Sequence, residues 1–162
     1  MEPVNPEIQI RPAQESDADD LAAFNAALAL ETENRILPPE TITAGVRNLL
    51  QHPEWGFYIV AESGGRVVAC LMITYEWSDW RNGLFWWIQS VYVRPEFRRL
   101  GIYRKMYTHI RRAAIADGKV CGLRLYVERD NQKAQTTYSN LGMAKTHYLI
   151  FETTALNNDF VK

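Results

Sequence analysis

The sequence is poor in cysteine: of its 162 residues only Cys70 and Cys121 are cysteines, and each stands alone in an apolar run. No Cys-x-x-Cys or mixed Cys/His spacing occurs, and the three histidines have no metal-ligand spacing, so no metal site is predicted. The two cysteines could pair, but a reduced, cytoplasmic protein is the simpler interpretation. We expect both to be buried strand residues, because no activating partner stands beside them.

The sequence also lacks long apolar runs and an excess of either charge. No apolar stretch approaches the roughly 20 residues that a membrane-spanning helix needs. Residues 1–7 contain neither a basic nor an apolar region, so we expect no signal peptide there. The formal net charge is −1 and the isoelectric point about 6.3, whereas a sequence-independent nucleic-acid binder needs a strong basic excess. We therefore expect neither a membrane nor a nucleic-acid partner.

Hydrophobic and aromatic residues are abundant. They make up 47% and 12% of the chain, with five Trp and eight Tyr, which is enough to build a sizeable core. No internal repeat and no low-complexity linker interrupts the chain, and its length fits one domain. The prediction is therefore a single domain over residues 1–162.

Hydrophobic spacing and turn residues divide the chain into ten elements in the order β-α-α-β-β-β-α-β-α-β. An antiparallel meander followed by β-α-β predicts an α/β (α+β) fold with a mixed sheet. The predicted strands are 8–11, 57–62, 66–77, 84–93, 123–127 and 147–154. The predicted helices run from Ser16, as the capping residue, to about Glu33, from Pro38 to about Pro53, and over 101–117 and 131–141.

A strand, a basic loop and the start of a helix follow one another between Ser90 and Tyr103. The first main-chain N–H groups of a helix have no partner within it, and the helix dipole favours an anion beside them. Arg98 and Arg99 add positive charge, and Gly101 allows close approach of the main chain. The segment therefore predicts a site for a pyrophosphate. The alternative is a solvated basic loop, at least for one of the two arginines.

A second segment places three residues on one helical face. Asn131, Ala134 and Tyr138 stand at i, i+3 and i+7, followed by Leu141-Gly142-Met143. The small Ala134 leaves room for a cofactor, and Tyr138 supplies a hydroxyl beyond it.

The two segments resemble motifs A and B of the GNAT superfamily of N-acetyltransferases. Motif A, Gln/Arg-x-x-Gly-x-Gly/Ala, reads Arg98-x-x-Gly101-x-Tyr103 here, and Tyr103 departs from the small residue of the pattern. Motif B, Asn-x-x-Ala-x-x-x-Tyr, reads Asn131-x-x-Ala134-x-x-x-Tyr138. The resemblance covers roughly residues 57–151. It implies the GNAT fold, a mostly antiparallel mixed sheet of six to seven strands flanked by about four helices, and acetyl-CoA as cosubstrate.

The resemblance also implies where acetyl-CoA binds. The strands 84–93 and 123–127 would separate, with the pantetheine arm between them and the pyrophosphate on the N–H groups of residues 98–103. Main-chain groups of Val91 and Val93 would bind the pantetheine amides as an added strand would. The implied CoA-binding residues are Val91, Tyr92, Val93, Arg98, Arg99, Leu100, Gly101, Ile102, Tyr103, Asn131, Ala134 and Tyr138.

The implied reaction is direct attack of an amine on the thioester. Tyr138 would protonate the leaving thiolate as general acid, and a main-chain N–H near Val91 would bind the oxyanion. The alternative for Tyr138 is a core tyrosine packed on the sheet.

The general base is open, because the strand segment 84–90 contains no acid. Four acids outside it are candidates for the base, namely Glu31, Glu33, Glu76 and Asp79. Of these, Glu33 and Glu76 are the predicted catalytic bases. Each could instead be a solvated surface acid, and Glu76 and Asp79 could pair with Arg81. A water relay would also serve.

Six aromatic residues lie within thirteen positions, from Tyr75 to Trp87. Strand alternation puts Phe85, Trp87 and Gln89 on one face and Trp86, Ile88 and Ser90 on the other. The cluster is either core or a pocket for a cationic amine, whose charge tryptophan faces and carboxylates attract. We expect a small organic amine as acceptor, with a peptide N-terminus or a lysine as the alternative. The expected acceptor-binding residues are Glu31, Glu33, Glu76, Trp77, Asp79 and Trp87.

Two further alternatives stay open at this point. A catalytically silent acyl-CoA-binding module would show the same motifs, although the presence of Tyr138 favours an enzyme. A homodimer could form through residues 146–154, or that segment could be an ordinary edge strand.

Overall fold

The computed structural model describes residues 7–154. The chain divides after Tyr126 into two compact units. The first unit contains a five-stranded sheet and three α-helices, and the second contains one α-helix.

The sheet of the first unit follows chain order. Its strands are β1 (Gln9–Pro12), β2 (Gly56–Ser63), β3 (Arg66–Ser78), β4 (Gly83–Val93) and β5 (Val120–Arg124), hydrogen-bonded in the order β1-β2-β3-β4-β5. The first three pairs are antiparallel, and β4 and β5 are parallel. A parallel pair needs a long crossover, and a helix supplies it here. The mixed, mostly antiparallel sheet is confirmed, but the described residues form five strands rather than six or seven.

The three helices of the first unit are α1 (Ala18–Glu33), α2 (Pro39–Gln51) and the crossover α3 (Ile102–Asp117). With the helix of the second unit they give the expected four. The start of α1 corrects the prediction for Ser16. A 3-10 turn over Glu15–Asp17 precedes the helix, so Asp17 takes the capping position, although its side chain does not cap α1. Its carboxylate instead accepts the N–H of Gln14 at 2.7 Å and two hydrogen bonds from Arg11 at 2.8 and 3.0 Å.

The two faces of the sheet have separate cores. On one face, Leu21 and Phe24 of α1 and Val46 of α2 pack with Tyr58 of β2 and Tyr92 of β4. Strand residues alternate in direction, so their neighbours point to the opposite face. There α3, which contacts β1, β2, β4 and β5, buries one stripe of side chains. The stripe consists of Ile102, Met106 and Ile110. This arrangement keeps the start of α3 beside the end of β4.

The second unit contains α4 (Gln132–Asn140). Asn131 caps it by accepting the N–H of Ala134 at 3.0 Å, and Gly142, with φ of 85°, lies just beyond its end. The prediction of 131–141 is therefore confirmed to within one residue at each end.

Three predictions about the later strands were wrong. The strand predicted at 123–127 is β5, which lies three residues earlier. Its pairing with β4 starts directly after the left-handed Gly118, where the N–H of Leu84 donates to Lys119 O. Residues 147–154 form no strand among the described residues. A strand needs a partner, and the described part of the second unit offers no other strand. A homodimer through this segment stays a prediction. Cys121 is exposed on the edge strand β5, whereas Cys70 is buried as expected.

Candidate functional site

Strands β4 and β5 pair only over a short parallel ladder. Their paired residues run from Leu84 opposite Val120 to Trp87 opposite Arg124. Strand β5 ends at Arg124, but β4 continues for six more residues to Val93. We call the unpaired edge of β4 beside 88–93 the fork. The main chain of β4 has no strand partner on this side within the described residues, so an extended ligand with amide groups fits there.

A β-bulge turns specific main-chain groups into the fork. Met72 pairs with Gln89 and Cys70 with Tyr92, so β4 has one extra residue at this point, and Ser90 has φ of 49°. Before the bulge the even-numbered N–H groups face β5, as Leu84 shows by donating to Lys119 O. After it they face β3, as Arg94 shows by donating to Val68 O. The N–H groups of Val91 and Val93 therefore face the fork.

The loop after β4 bends towards the start of α3. Two of its residues, Arg99 and Gly101, have positive φ values of 67° and 72°. Left-handed residues in such a loop turn successive N–H groups to one side, which is the geometry of anion-binding main-chain nests. The first turn of α3 adds its own N–H groups and the positive end of a 16-residue helix. The loop and helix start therefore fit a phosphate group.

Arg98 is engaged by the protein itself. Its Nε donates to Val93 O at 2.9 Å, and one of its terminal nitrogens donates to Glu31 Oε2 at 2.7 Å. Glu31 also accepts the hydroxyl of Tyr92 at 3.3 Å, and the Arg98 guanidinium lies over the Tyr92 ring. Arg98 and Tyr92 thus fix the loop to the end of α1. Glu31, which was predicted to bind the acceptor amine, is the α1 residue that both of them contact.

Tyr103 departs from the motif in the first turn of α3. Its ring centroid lies 6.4 Å from that of Tyr107, one turn further along the helix. The ring therefore packs along the side of α3, and the main-chain N–H of Tyr103 stays part of the helix start.

The sequence profile of the Acetyltransferase (GNAT) family matches residues 22–143, which is three quarters of the chain and includes the fork, the loop and α4. The chain belongs to this family. It is therefore an acyltransferase that uses acetyl-CoA, and the fork with its adjoining nest is a fitting place for the pantetheine arm and the pyrophosphate of that cosubstrate.

Solved structures of acetyltransferases resemble the chain over nearly its whole length. A possible acetyltransferase from Clostridium difficile 630 is 44% identical, with a TM-score of 0.88, and the match covers 93% of this chain and 99% of that one. A predicted acetyltransferase from Clostridium acetobutylicum, solved with acetyl-CoA, is 18% identical, with a TM-score of 0.76 and coverage of 91% and 96%. An aminoglycoside N-acetyltransferase solved with CoA is 15% identical, with a TM-score of 0.71 and coverage of 96% and 99%. The last two likenesses show the fold alone.

On the face of the sheet next to the fork, the GNAT chain holds Glu76 between two donors. Its Oε1 accepts from Arg124 at 2.8 Å, and its Oε2 accepts the indole N–H of Trp87 at 2.5 Å. The suggested pair with Arg81 does not form, since Arg81 lies over the Phe85 ring instead. Glu76 therefore has a cation beside it and a hydrogen bond on each oxygen, so both oxygens are engaged by other side chains.

Arg124 is held on a second side by Phe85. The guanidinium carbon lies 3.6 Å from the centroid of that ring. The ring in turn lies across Gly122, where an added Cβ would meet Phe85 Cε1 at 2.6 Å. The ring and the Glu76 carboxylate together fix the direction of the Arg124 side chain.

A row of polar groups follows on the same face. Gln89 donates from its amide nitrogen to the hydroxyl of Thr74 at 2.5 Å, and the hydroxyl of Tyr126 donates to the Gln89 amide oxygen at 3.2 Å. The Tyr126 ring lies against Trp87, with centroids 5.5 Å apart. Trp87 and Gln89 share a face, as predicted from the alternation of β4.

The structure does not bring two of the other predicted acceptor residues, Trp77 and Asp79, to this face. Trp77 alternates with Glu76 on β3, so it points to the opposite face, and 60% of its surface is exposed. Asp79 accepts the N–H of Trp80 at 2.8 Å within the exposed turn. Glu33 is the last residue of α1, and the structure records no hydrogen bond or ion pair to its carboxylate within residues 7–154.

In the second unit, motif B residues have distinct roles within α4. The side-chain oxygen of Asn131 is used as the helix cap. Burial raises the pKa of the Tyr138 hydroxyl, so this group stays protonated at neutral pH and can donate a proton.

Arg124, Thr74 and Tyr126 were not among the residues predicted for the site. A signal was present, because Arg124 and Tyr126 stand two apart at the end of the strand after the crossover helix. Placing that strand three residues too late hid which of its residues ends the ladder with β4.

Two features are not found in the described part of the chain. No group of three or more His, Cys, Asp or Glu side chains within residues 7–154 could hold a metal ion. None of the four α-helices described is both long and apolar enough to cross a membrane.

Proposed function

We propose that this GNAT enzyme transfers the acetyl group of acetyl-CoA to the primary amine of a small molecule, by direct attack of the amine on the thioester. The observation that carries the proposal is the open main chain of β4 beyond Trp87, next to the left-handed loop and the start of α3. A row of aromatic and polar side chains adjoins this opening.

Main-chain groups would do most of the binding. The N–H groups of Val91 and Val93 would bind the pantetheine amides as an added strand. The N–H groups of the loop and first helical turn, residues 98–103, would bind the pyrophosphate. Arg98 would hold the loop in place through Glu31 rather than contact the phosphates. When bound, acetyl-CoA supplies an acetyl group activated as a thioester.

Two groups would assist the departure of the thiolate. A main-chain N–H near Val91 would stabilise the oxyanion, because a fixed dipole needs no reorganisation as charge develops. Tyr138 would give its proton to the leaving sulfur, and the raised pKa of its hydroxyl keeps it in the protonated form.

The attacking amine must lose a proton, and Glu33 is the best candidate to accept it. Of the two proposed bases, Glu76 is paired with Arg124, whereas the Glu33 carboxylate has no recorded partner among the described residues. Glu33 ends α1, and Glu31, two residues earlier, reaches the Tyr92 hydroxyl on β4. Glu76 then acts as a positioning residue for Arg124 and Trp87.

We also propose that residues 1–162 act as one acetyltransferase domain. The family match from 22 to 143 continues across the division at Tyr126, so both units contribute sequence to the same family unit.

The test is release of free CoA thiol from acetyl-CoA over a panel of primary amines, with the acetylated product identified by mass. We expect turnover with one class of small amine, and a fall of about 100-fold or more in kcat for Tyr138→Phe, the usual size of general-acid catalysis. Release without an acetylated amine, or CoA binding with no turnover on any amine, would contradict the proposal and favour a silent CoA-binding module.

A further inference from the structure

The face of the sheet that carries Glu76, Trp87 and Gln89, which we call the acceptor face, holds a fixed cation. This cation affects which amine the enzyme can bind as acceptor. Arg124 is the last residue of β5 and the Cα partner of Trp87 in the last rung of the ladder. The Cα of Arg124 therefore lies where the fork begins, and its guanidinium lies over the Phe85 ring and against Glu76, on the face that also carries Trp87 and Gln89. An amine that approaches the fork over this face from the Phe85 end passes beside Arg124.

Arg124 is held rigidly but is not saturated. Glu76 accepts one hydrogen bond, and the Phe85 ring supports one side of the guanidinium plane. A guanidinium has five N–H donors, and the structure records a single hydrogen bond from this one within the described residues. A quarter of the side chain is exposed. Donors that are fixed in direction and still open suit a planar anion such as a carboxylate.

The balance of charges on this face of the sheet disfavours the binding of a second cation. Glu76 is the only carboxylate in the row formed by Thr74, Glu76, Trp87, Gln89 and Arg124, and its charge is matched by Arg124. A polyamine would therefore bring an ammonium group beside a guanidinium, and this row has no carboxylate beyond Glu76 to receive it; like charges at close range oppose binding.

From these observations we infer that the acceptor is an amino acid, whose carboxylate binds Arg124 while its amine reaches the fork. The inference rests on the proposed function and narrows its substrate. It narrows the expected small organic amine to one that also carries a carboxylate. Thr74, Gln89 and the Tyr126 hydroxyl supply the neutral polar groups that a zwitterion needs beside its charged ends.

The experiment compares matched acceptors that differ in the carboxylate alone. For each amino acid in a panel, kcat/KM is measured for the acid, its amide and the decarboxylated amine. Binding of each to the enzyme with CoA present is measured by calorimetry, which does not depend on turnover. We expect the acid to be preferred, and Arg124→Met to lower its kcat/KM and affinity by about 10- to 100-fold, with little change for the amide. Arg124→Lys should recover part of the loss, because it keeps the charge but not the planar fork.

Arg47→Met serves as control, since it removes an arginine of an exposed pair, with Asp19, on another part of the molecule. It should leave the preference for the acid unchanged. Acetylation of amides or decarboxylated amines in preference to acids would overturn the inference and leave the acetyltransferase proposal intact. An equal loss for all acceptors in Arg124→Met would also overturn it, because it would indicate a structural role alone. Acetylation of no amine by a CoA-binding enzyme would overturn both.

Discussion

Glu33 and Glu76 differ in what surrounds their carboxylates. Glu76 lies against Arg124 and the indole N–H of Trp87, whereas Glu33 is exposed at the end of α1. Both oxygens of Glu76 accept hydrogen bonds from these side chains, whereas the structure records no partner for the Glu33 carboxylate within residues 7–154. The two residues should therefore respond differently to the same substitution.

Glu33→Gln should lower kcat by about 100-fold with little change in the KM of the acceptor, because it removes the proton acceptor. Glu76→Gln should mainly raise the acceptor KM, since a neutral side chain would hold Arg124 and Trp87 less firmly. Steady-state kinetics with the best amine would measure both. A full kcat in Glu33→Gln would show that the proton passes to water, and a larger kcat loss in Glu76→Gln would reverse the assignment.

The ion pair of Asp17 with Arg11 should make the free energy of unfolding depend on pH. Arg11 holds the pKa of the Asp17 carboxyl below its usual range, and only 5% of the residue is exposed. The ionised form is therefore favoured in the folded state, and its stabilisation is present above the unfolded pKa of about 4 and lost as pH falls through the lower folded value. Asp17→Asn should lower the free energy of unfolding by about 1–3 kcal/mol at pH 7 and by less at pH 3.

Urea unfolding at the two pH values would measure this difference. Asp19→Asn is the matched control, because the pair of Asp19 with Arg47 is exposed to solvent and screened. A loss for Asp17→Asn that does not shrink at low pH would rule out the ion pair as its cause.

At the scale of elements, the two ends of α3 offer a matched pair of glycines. Gly101 precedes the helix with φ of 72°, and Gly118 ends it with φ of 74°. An added Cβ would meet nothing within 4 Å at either position, so alanine there suffers only from the left-handed backbone. That strain costs about 1–2 kcal/mol.

Gly101→Ala and Gly118→Ala should therefore lower the melting temperature by similar amounts. Only Gly101→Ala should weaken CoA binding, because only this residue shapes the loop whose N–H groups face the phosphates. Thermal unfolding and calorimetry with CoA would measure both effects. Equal loss of CoA affinity in the two variants would contradict the assigned role of the loop.

Most elements were predictable because their signals are local. Turn residues such as Asn82, prolines before α2 and helical spacing in α3 each depend on a few neighbouring residues. The start of β5 and the absence of a strand over 147–154 depend on pairing with distant residues, which a single sequence does not reveal. The same holds for the bulge at Ser90, although it decides which N–H groups face the fork.

The motif residues were predictable in identity but less so in role. Arg98 fits the family pattern, yet its side chain binds Glu31 and Val93 rather than standing free. Asn131 fits it too, and its side-chain oxygen caps α4. A motif indicates how the main chain turns at the site, whereas side-chain partners come from elements far along the chain. Arg124, which no motif marks, was missed for the same reason.

For the molecule as a whole, we propose that acetyl-CoA binds along the open edge of β4 and the start of α3. The measurement that tests it most directly is amide hydrogen exchange, followed by mass spectrometry, with and without CoA. We predict slower exchange in peptides covering 89–93 and 98–105, because their N–H groups gain partners, and no change in β1 and β2. CoA that raises the melting temperature but leaves exchange at 89–93 unchanged would contradict the claim.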